Sequence, residues 1–387
     1  MLMHPPKALY IHIPFCTRRC HYCDFNTYVL ADQPVDAYLD ALEREMERTV
    51  GALPPKRIDT VFVGGGTPTV LSPEQMARFL GAVRRWFPVA PDAEFTVEAN
   101  PGTTGPELLA AMREGGVNRI SFGVQTFDDA LLERLGRIHG AEDACRSIGL
   151  ARDAGFSNIS IDLMFGLPGQ TMDALADSVR RAVELDLPHY SLYGLKIEEN
   201  TLFHVLYERG ELPLPAEEEE LRMYLFIMEK LEAAGRRQYE ISNFALPGFE
   251  SRHNMTYWRN EPYYGIGAGA HGYARGVRHV NIKGVTPYIE AARERLPRLS
   301  EEPVAEEEAM EDFMMVGLRM RDGVRDADFA AQFGGRSIDE VFGGVIGRLL
   351  EAGLVERRPG GDGWRLTDRA IPIGNEVFGA FVGALTE

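Results

Sequence analysis

Two patterns of apolar residues alternate over the first two hundred positions of the chain. Short runs rich in β-branched and aromatic residues occupy 8–13, 58–63, 94–98, 118–124, 158–164 and 189–195. Between them the pattern is helical, over 34–50, 73–87, 105–115, 141–155 and 171–185. Ser72, Pro73 and Glu74 supply an N-cap, a proline at the first helical position and an acid in the first turn. Strand–helix alternation of this kind builds βαβ units with a parallel sheet. Six units predict an α/β fold, either an open doubly wound sheet or a partial (β/α)6 barrel of TIM type. In both, ligands gather at the C-terminal ends of the strands.

The rhythm changes after Leu195. Residues 216–234 predict a long amphipathic helix, with Leu221, Leu225, Met228 and Leu231 at helical spacing and a glutamate run suited to the positive end of the helix dipole. A strand is expected over 237–242, followed by a Gly- and aromatic-rich stretch over 257–273. Helical patterns return at 306–320, 326–333 and 338–352. Strands at 354–358 and 364–367 then flank a Pro-Gly-Gly-Asp-Gly turn, and a last helix follows Asp368. The expected organisation is a barrel with an extension over 1–300 (core about 8–200) and a smaller winged-helix-like α+β domain over 301–387.

The length of 387 residues suits two or three domains. The formal net charge is −17, and 301–387 carries 18 acidic against 9 basic residues. That balance disfavours nucleic-acid binding through bulk charge. No apolar run approaches the roughly 20 residues of a spanning helix, and the first residues lack the apolar core of a secretion signal. A cytoplasmic protein with at most peripheral membrane contact is expected.

Three of the four cysteines, Cys16, Cys20 and Cys23, lie within eight residues at the end of the first predicted strand. In a reducing compartment such a cluster points to metal binding rather than disulfides. Three thiolates on one loop can hold three irons of a [4Fe–4S] cluster and leave the fourth iron with an open position. Structural zinc, with His12 or His21 as a fourth ligand, is the competing reading, but there is no second knuckle of the kind zinc modules pair. Cys145, in the middle of a predicted helix, is expected to be a small buried residue.

The spacing C-x3-C-x2-C resembles the signature of the radical S-adenosylmethionine (SAM) superfamily. Further segments, each after a predicted strand, extend the resemblance over nearly the whole chain: Tyr10 to Cys16, Gly64-Gly65-Gly66-Thr67-Pro68, Val97 to Pro101, Gly123 to Phe127 and Asp162 to Pro168. Together they are similar to the branch that contains oxygen-independent coproporphyrinogen III dehydrogenase and the HemW-type haem chaperones. The resemblance implies SAM contacts at Tyr10, Tyr22, Gly66, Thr67, Glu98, Gln125, Arg137 and Asp162. Glycines at 64–66 would let backbone approach the methionine moiety closely.

Two positions bear on the branch. The dehydrogenases carry a fourth cysteine two residues after the third, where this chain has Phe25. The segment His253-Asn254-Met255-Thr256-Tyr257-Trp258 matches the HNxxYW motif of the chaperone-like branch. Imidazole is a common axial ligand of haem iron, and the two aromatic rings offer flat faces to a porphyrin. His253, Tyr257, Trp258 and His271 are therefore expected haem contacts. The implied function is delivery of haem to acceptor proteins, respiratory enzymes among them, with dimerisation on cluster binding. The intact cysteine triad also permits two enzymatic readings, oxidative decarboxylation of coproporphyrinogen III and radical chemistry on haem itself.

Overall fold

The computed structural model describes residues 5–385. The first four residues, part of the segment read above for the absence of a secretion signal, lie outside the described residues. Six strands pair in parallel in chain order: β1 (Ala8–Ile13), β2 (Ile58–Gly65), β3 (Val89–Ala99), β4 (Arg119–Gln125), β5 (Asn158–Phe165) and β6 (His189–Gly194). The crossovers run through α1 (Val35–Ala52), α2 (Pro73–Trp86), α3 (Pro106–Glu114), the short α4 (Asp129–Arg134), α5 (Ala141–Asp153) and α6 (Met172–Glu184). This is the partial barrel expected from the alternation. Helix α2 starts on a complete capping box, with Ser72 accepting from the Gln75 backbone and Gln75 accepting from that of Ser72.

Register explains what the barrel encloses. Tyr10 pairs with Phe62, Thr60 with Glu94, Thr96 with Arg119, Ser121 with Ser160, and Asp162 with Ser191. Successive side chains alternate between the two faces of a strand. The outward set (Leu9, Ile11, Val61, Val63, Phe95, Val97, Ile120, Ile161 and their neighbours) is therefore apolar and buried beneath the helices. The inward set is largely polar and lines the lumen.

The sheet does not stop at six strands. Helices α7 (Leu202–Glu208) and α8 (Glu217–Ala233) lead to β7 (Arg237–Glu240) and β8 (Asn243–Ala245), where one strand was expected; β8 pairs antiparallel with β6. Helix α9 (Arg252–Trp258) follows. On the other edge, β9 (Tyr263–Ile266) runs parallel to β1, and β10 (His271–Ala274), β11 (Val277–Asn281) and β12 (Arg298–Pro303) extend it as a meander to twelve strands. The glycine-rich stretch at 257–273 hides two of these strands. Its glycines serve close strand packing: a Cβ on Gly265 would sit 1.8 Å from the carbonyl oxygen of His271.

In α8 the buried face is Met223, Tyr224, Ile227 and Leu231, whereas Leu221 and Leu225 are exposed. The apolar stripe is thus rotated from the one expected, because the aromatic Tyr224, stacked on Phe165, sets which side meets the barrel. Cys145 lies within α5, as expected, but is exposed. The face of α5 that packs on the barrel is Ala141, Ala144, Ser147, Ile148 and Ala151, which leaves position 145 facing solvent.

The C-terminal unit has helices at Glu306–Gly317, Asp326–Gln332 and Ile338–Glu351 and the expected hairpin, Val355–Arg357 with Gly363–Leu366. A short strand, Val324–Arg325, joins the hairpin, giving a winged-helix-like arrangement. After Asp368 a 3-10 turn runs into a short helix at Gly374–Gly379.

Candidate cluster and cofactor site

The cysteine loop leaves β1 at its C-terminal end, the end where a barrel collects ligands. Phe15–Cys16 pairs with Tyr28–Val29 and closes the loop on itself. Cys16, Cys20 and Cys23 are free and half-buried. The loop is held from the next strand end: the backbone N–H of Gly66 donates to Ile13 O (2.8 Å) and that of Thr67 to Phe15 O (2.7 Å). A Cβ on Gly66 would lie 2.6 Å from Phe15 O. Position 66 is therefore glycine because the cysteine loop passes against it.

Two side chains expected at the SAM site reach the sulfurs. Thr67 donates its hydroxyl to Cys16 Sγ (3.5 Å), and Arg137 Nη1 donates to Cys20 Sγ (3.5 Å). Asn100 connects them, donating to Thr67 Oγ1 (2.7 Å) and accepting from Arg137 Nη2 (2.5 Å). Asn100 lies within a matching segment, two residues after Glu98, yet its bridging role was not expected from the sequence. Burial pushes the Cys16 thiol up and the Cys23 thiol up to about 11. Free thiolates are thus disfavoured there, and coordination to a metal offsets that cost. Three sulfur donors on one loop, with hydrogen-bond donors aimed at two of them, fit a cluster bound by three cysteines.

The two histidines that zinc could recruit are hydrogen-bonded elsewhere. His12 bonds Tyr10 OH through Nδ1 and Asn26 O through Nε2, both at 2.9 Å. His21 Nδ1 is engaged by Arg134 O at 2.9 Å. Among the described residues no three His, Cys, Asp or Glu side chains converge on a single-ion site.

Below the loop, the inward positions of β1–β6 bring Tyr10, Gly64, Glu98 and Asp162 to the upper lumen. Glu98 Oε2 accepts from the backbone N–H of Gly65 (3.1 Å), and a Cβ on Gly64 would meet that oxygen at 2.5 Å. Burial, with the like charge of Asp162, raises the Glu98 carboxyl to about 7. Burial raises Asp162 too, opposed by hydrogen bonds from Ser191 and Ser121. Gln125 ends β4 with φ +68° at a register slip, a left-handed conformation rare outside glycine that turns the chain over the mouth. Tyr22 is packed against Phe203 beside Arg137, and burial raises its hydroxyl. All eight expected SAM positions therefore converge on the cysteine end of the barrel.

Residues 10–182 match the family model described as "Radical SAM superfamily", and residues 304–373 match "HemN C-terminal domain". "Heme chaperone HemW" of Bacillus subtilis (strain 168) is 49% identical over 381 residues, covering 98% of this chain and 100% of the relative. The chain belongs to the HemW family of radical SAM proteins. The protein of the same description from Escherichia coli (strain K12) is 43% identical over 275 residues, 70% of this chain and 71% of its own. Membership in the radical SAM superfamily implies a [4Fe–4S] cluster and SAM as cofactors. Among solved structures, the coproporphyrinogen III oxidase HemN from Escherichia coli superposes with a TM-score of 0.84 at 23% identity, over 97% of this chain and 90% of that one. At that identity the match shows the shared fold.

The HemW-family motif at 253–258 occupies the opposite end of the barrel. Helix α9 plugs the N-terminal ends of the strands, with both Glu94 carboxylate oxygens accepting from its first backbone N–H groups, Arg252 and His253, at 2.9 Å. His253 is fully buried. Its Nδ1 bonds Thr60 Oγ1 (2.9 Å), its Nε2 bonds Tyr257 OH (2.8 Å), and its ring stacks on Phe62. Burial lowers its pKa to about 3. His253, expected from the sequence as a haem ligand, has both ring nitrogens hydrogen-bonded within the protein in this conformation. Thr60 lies four residues before Gly64 on the same strand, about 13 Å away at roughly 3.3 Å per residue.

Of the other expected haem contacts, Tyr257 joins His253, and Trp258 and His271 do not. Tyr257 faces the lumen against Tyr263, whereas Trp258 packs beneath Arg319 of the C-terminal unit, 4.4 Å from its ring centre. His271 is exposed, after the 267–270 turn that abuts Asn26. The four residues thus divide between a plug, an interface and the mouth rather than forming one site.

Proposed function

We propose that this protein holds a [4Fe–4S] cluster on Cys16, Cys20 and Cys23, binds SAM with Tyr10, Tyr22, Gly66, Thr67, Glu98, Gln125, Arg137 and Asp162, and carries haem to haem-requiring acceptor proteins. The observation that carries the haem half is the match along 98% of this chain, at 49% identity, to a curated heme chaperone. The cofactor half rests on the converging site residues. A cluster held by these three cysteines would keep one iron open to chelation by the amino and carboxylate groups of SAM, and would supply one-electron chemistry there. The chain's own groups hold that arrangement: Arg137 and Thr67 donate to cysteine sulfurs, and ionised Glu98 and Asp162 offer negative charge to the cationic part of SAM.

Respiratory enzymes are the acceptors, met through a partner or a peripheral contact at the membrane. No described helix is long and apolar enough to span a bilayer. Exposed Phe25, Ile138, Leu202 and Val205 near the cysteine loop offer apolar surface to an acceptor or to a second copy. The dehydrogenase reading uses the same cofactors. The side chain at 25, a phenyl ring 63% exposed, speaks against it, since it supplies no thiolate.

The reading is tested by anaerobic reconstitution followed by titration with haem, recording the Soret band and iron content. One haem per chain alongside about four cluster irons is expected. Absence of saturable haem binding by the reconstituted protein would sink the carrier reading.

A further inference from the structure

A large cavity lies at the barrel end opposite the cysteine loop. It measures about 1070 Å³, between the starts of β1 and β2, strand β7, helix α9 and the C-terminal unit. Small-molecule pockets run from about 300 to 1,000 Å³, so this one suits a large ligand. Helix α9 divides its side chains by their spacing. His253 and Tyr257, four apart, bond each other on the lumen side, whereas Met255 and Trp258, three apart, line the cavity. Met320 and Phe313 add apolar surface from the C-terminal unit.

Seven cationic side chains line the cavity against five carboxylates, in a chain whose net charge is −17. Five of the cations form no ion pair among the described residues, unlike Arg321 and Arg358: Lys7, Arg252, which donates to the Asp92 backbone, Arg237 of β7, Arg259 after α9 and Arg325 of the C-terminal unit. The one described contact of the Arg259 side chain is to the Met255 sulfur, at 4.0 Å. The indole N–H of Trp258 is also without a hydrogen-bond partner. Guanidinium groups bind carboxylates in two-point contacts, and indole and thioether groups pack on flat π systems.

We infer that this cleft is the cargo site, taking a flat tetrapyrrole dicarboxylate with its ring against Trp258 and Met255 and its carboxylates on Arg237, Arg259 and Arg325. The inference rests on the carrier reading above and gives it a place. Cargo and cluster sit at opposite ends of the barrel, separated by the α9 plug. The C-terminal unit forms one wall of the cargo site.

The test uses full-length, cluster-reconstituted protein titrated with haem and with its dimethyl ester, whose carboxylates are blocked. The native protein should prefer haem by about tenfold or more, the scale of charge-assisted hydrogen bonds. The double variant Arg237→Ala/Arg325→Ala should lose most of that preference, bind the ester within about twofold of the native protein, and keep its cluster iron. Arg237→Gln alone should lose part of the preference. Variants that keep the full preference and the native haem affinity overturn the cleft while leaving the carrier reading intact. If the native protein binds no haem, the carrier reading fails as well.

Discussion

Replacing His253 by alanine tests the plug assignment against the ligand assignment. The substitution removes a fully buried ring and leaves Thr60 Oγ1 and the Tyr257 hydroxyl without a partner. An unsatisfied buried polar group costs about 1–3 kcal/mol. The vacated space is polar enough to admit a water, which recovers part of that cost. A net loss of about 2–4 kcal/mol in the barrel's urea transition follows, read by circular dichroism and by tryptophan fluorescence. Acid adds a second signature. His253 is held to about 3 in the folded state, against about 6.5 when unfolded. Between those values the unfolded chain binds the extra proton, so stability falls as pH drops, by up to about 1.4 kcal/mol per unit. The alanine variant should lack that part of the slope, while its haem Soret band stays at the native position. Destabilisation below about 1 kcal/mol with the acid slope intact would refute the plug. A changed Soret band in a folded variant would restore His253 as an iron ligand.

Alanine at Cys16, Cys20 or Cys23 should abolish the cluster, whereas Cys145→Ala, on the solvent face of α5, should retain full iron and sulfide. Arg137→Met removes a cation and a donor from Cys20 Sγ; the cluster should assemble but shift to a more negative reduction potential, read by redox titration. An unchanged potential would mean that the guanidinium does not reach the cluster. SAM affinity should rise between pH 6 and 8 as Glu98, raised to about 7, ionises. Glu98→Gln should bind more weakly and flatten that profile; an unaltered profile would remove Glu98 from the SAM site.

The barrel was legible because its strands are short, β-branched and separated by capped helices, as at Ser72. The cysteine triad was legible from its spacing, and the glycines at 64–66 from their place in the family resemblance. Other features depended on partners distant in sequence. Gly265 and Gly272 break the alternation that would reveal β9 and β10, since those strands pack too closely for side chains. Asn100 became a site residue only when register placed it between Thr67 and Arg137. The motif at 253–258 was visible as a string, but which face each residue presents was not. Glu94, some 160 residues earlier, anchors that helix as a plug and so turns Trp258 away from His253.

The central claim is that this radical SAM barrel carries haem rather than making a porphyrin. Its most direct test is transfer. Haem-loaded, cluster-reconstituted protein is mixed with SAM and an apo-haem protein of distinct spectrum, and acceptor-bound haem is followed alongside product formation from coproporphyrinogen III in parallel. The account predicts haem appearing in the acceptor and no protoporphyrinogen. Protoporphyrinogen formed with SAM cleavage, and haem that stays with the barrel protein, would contradict it.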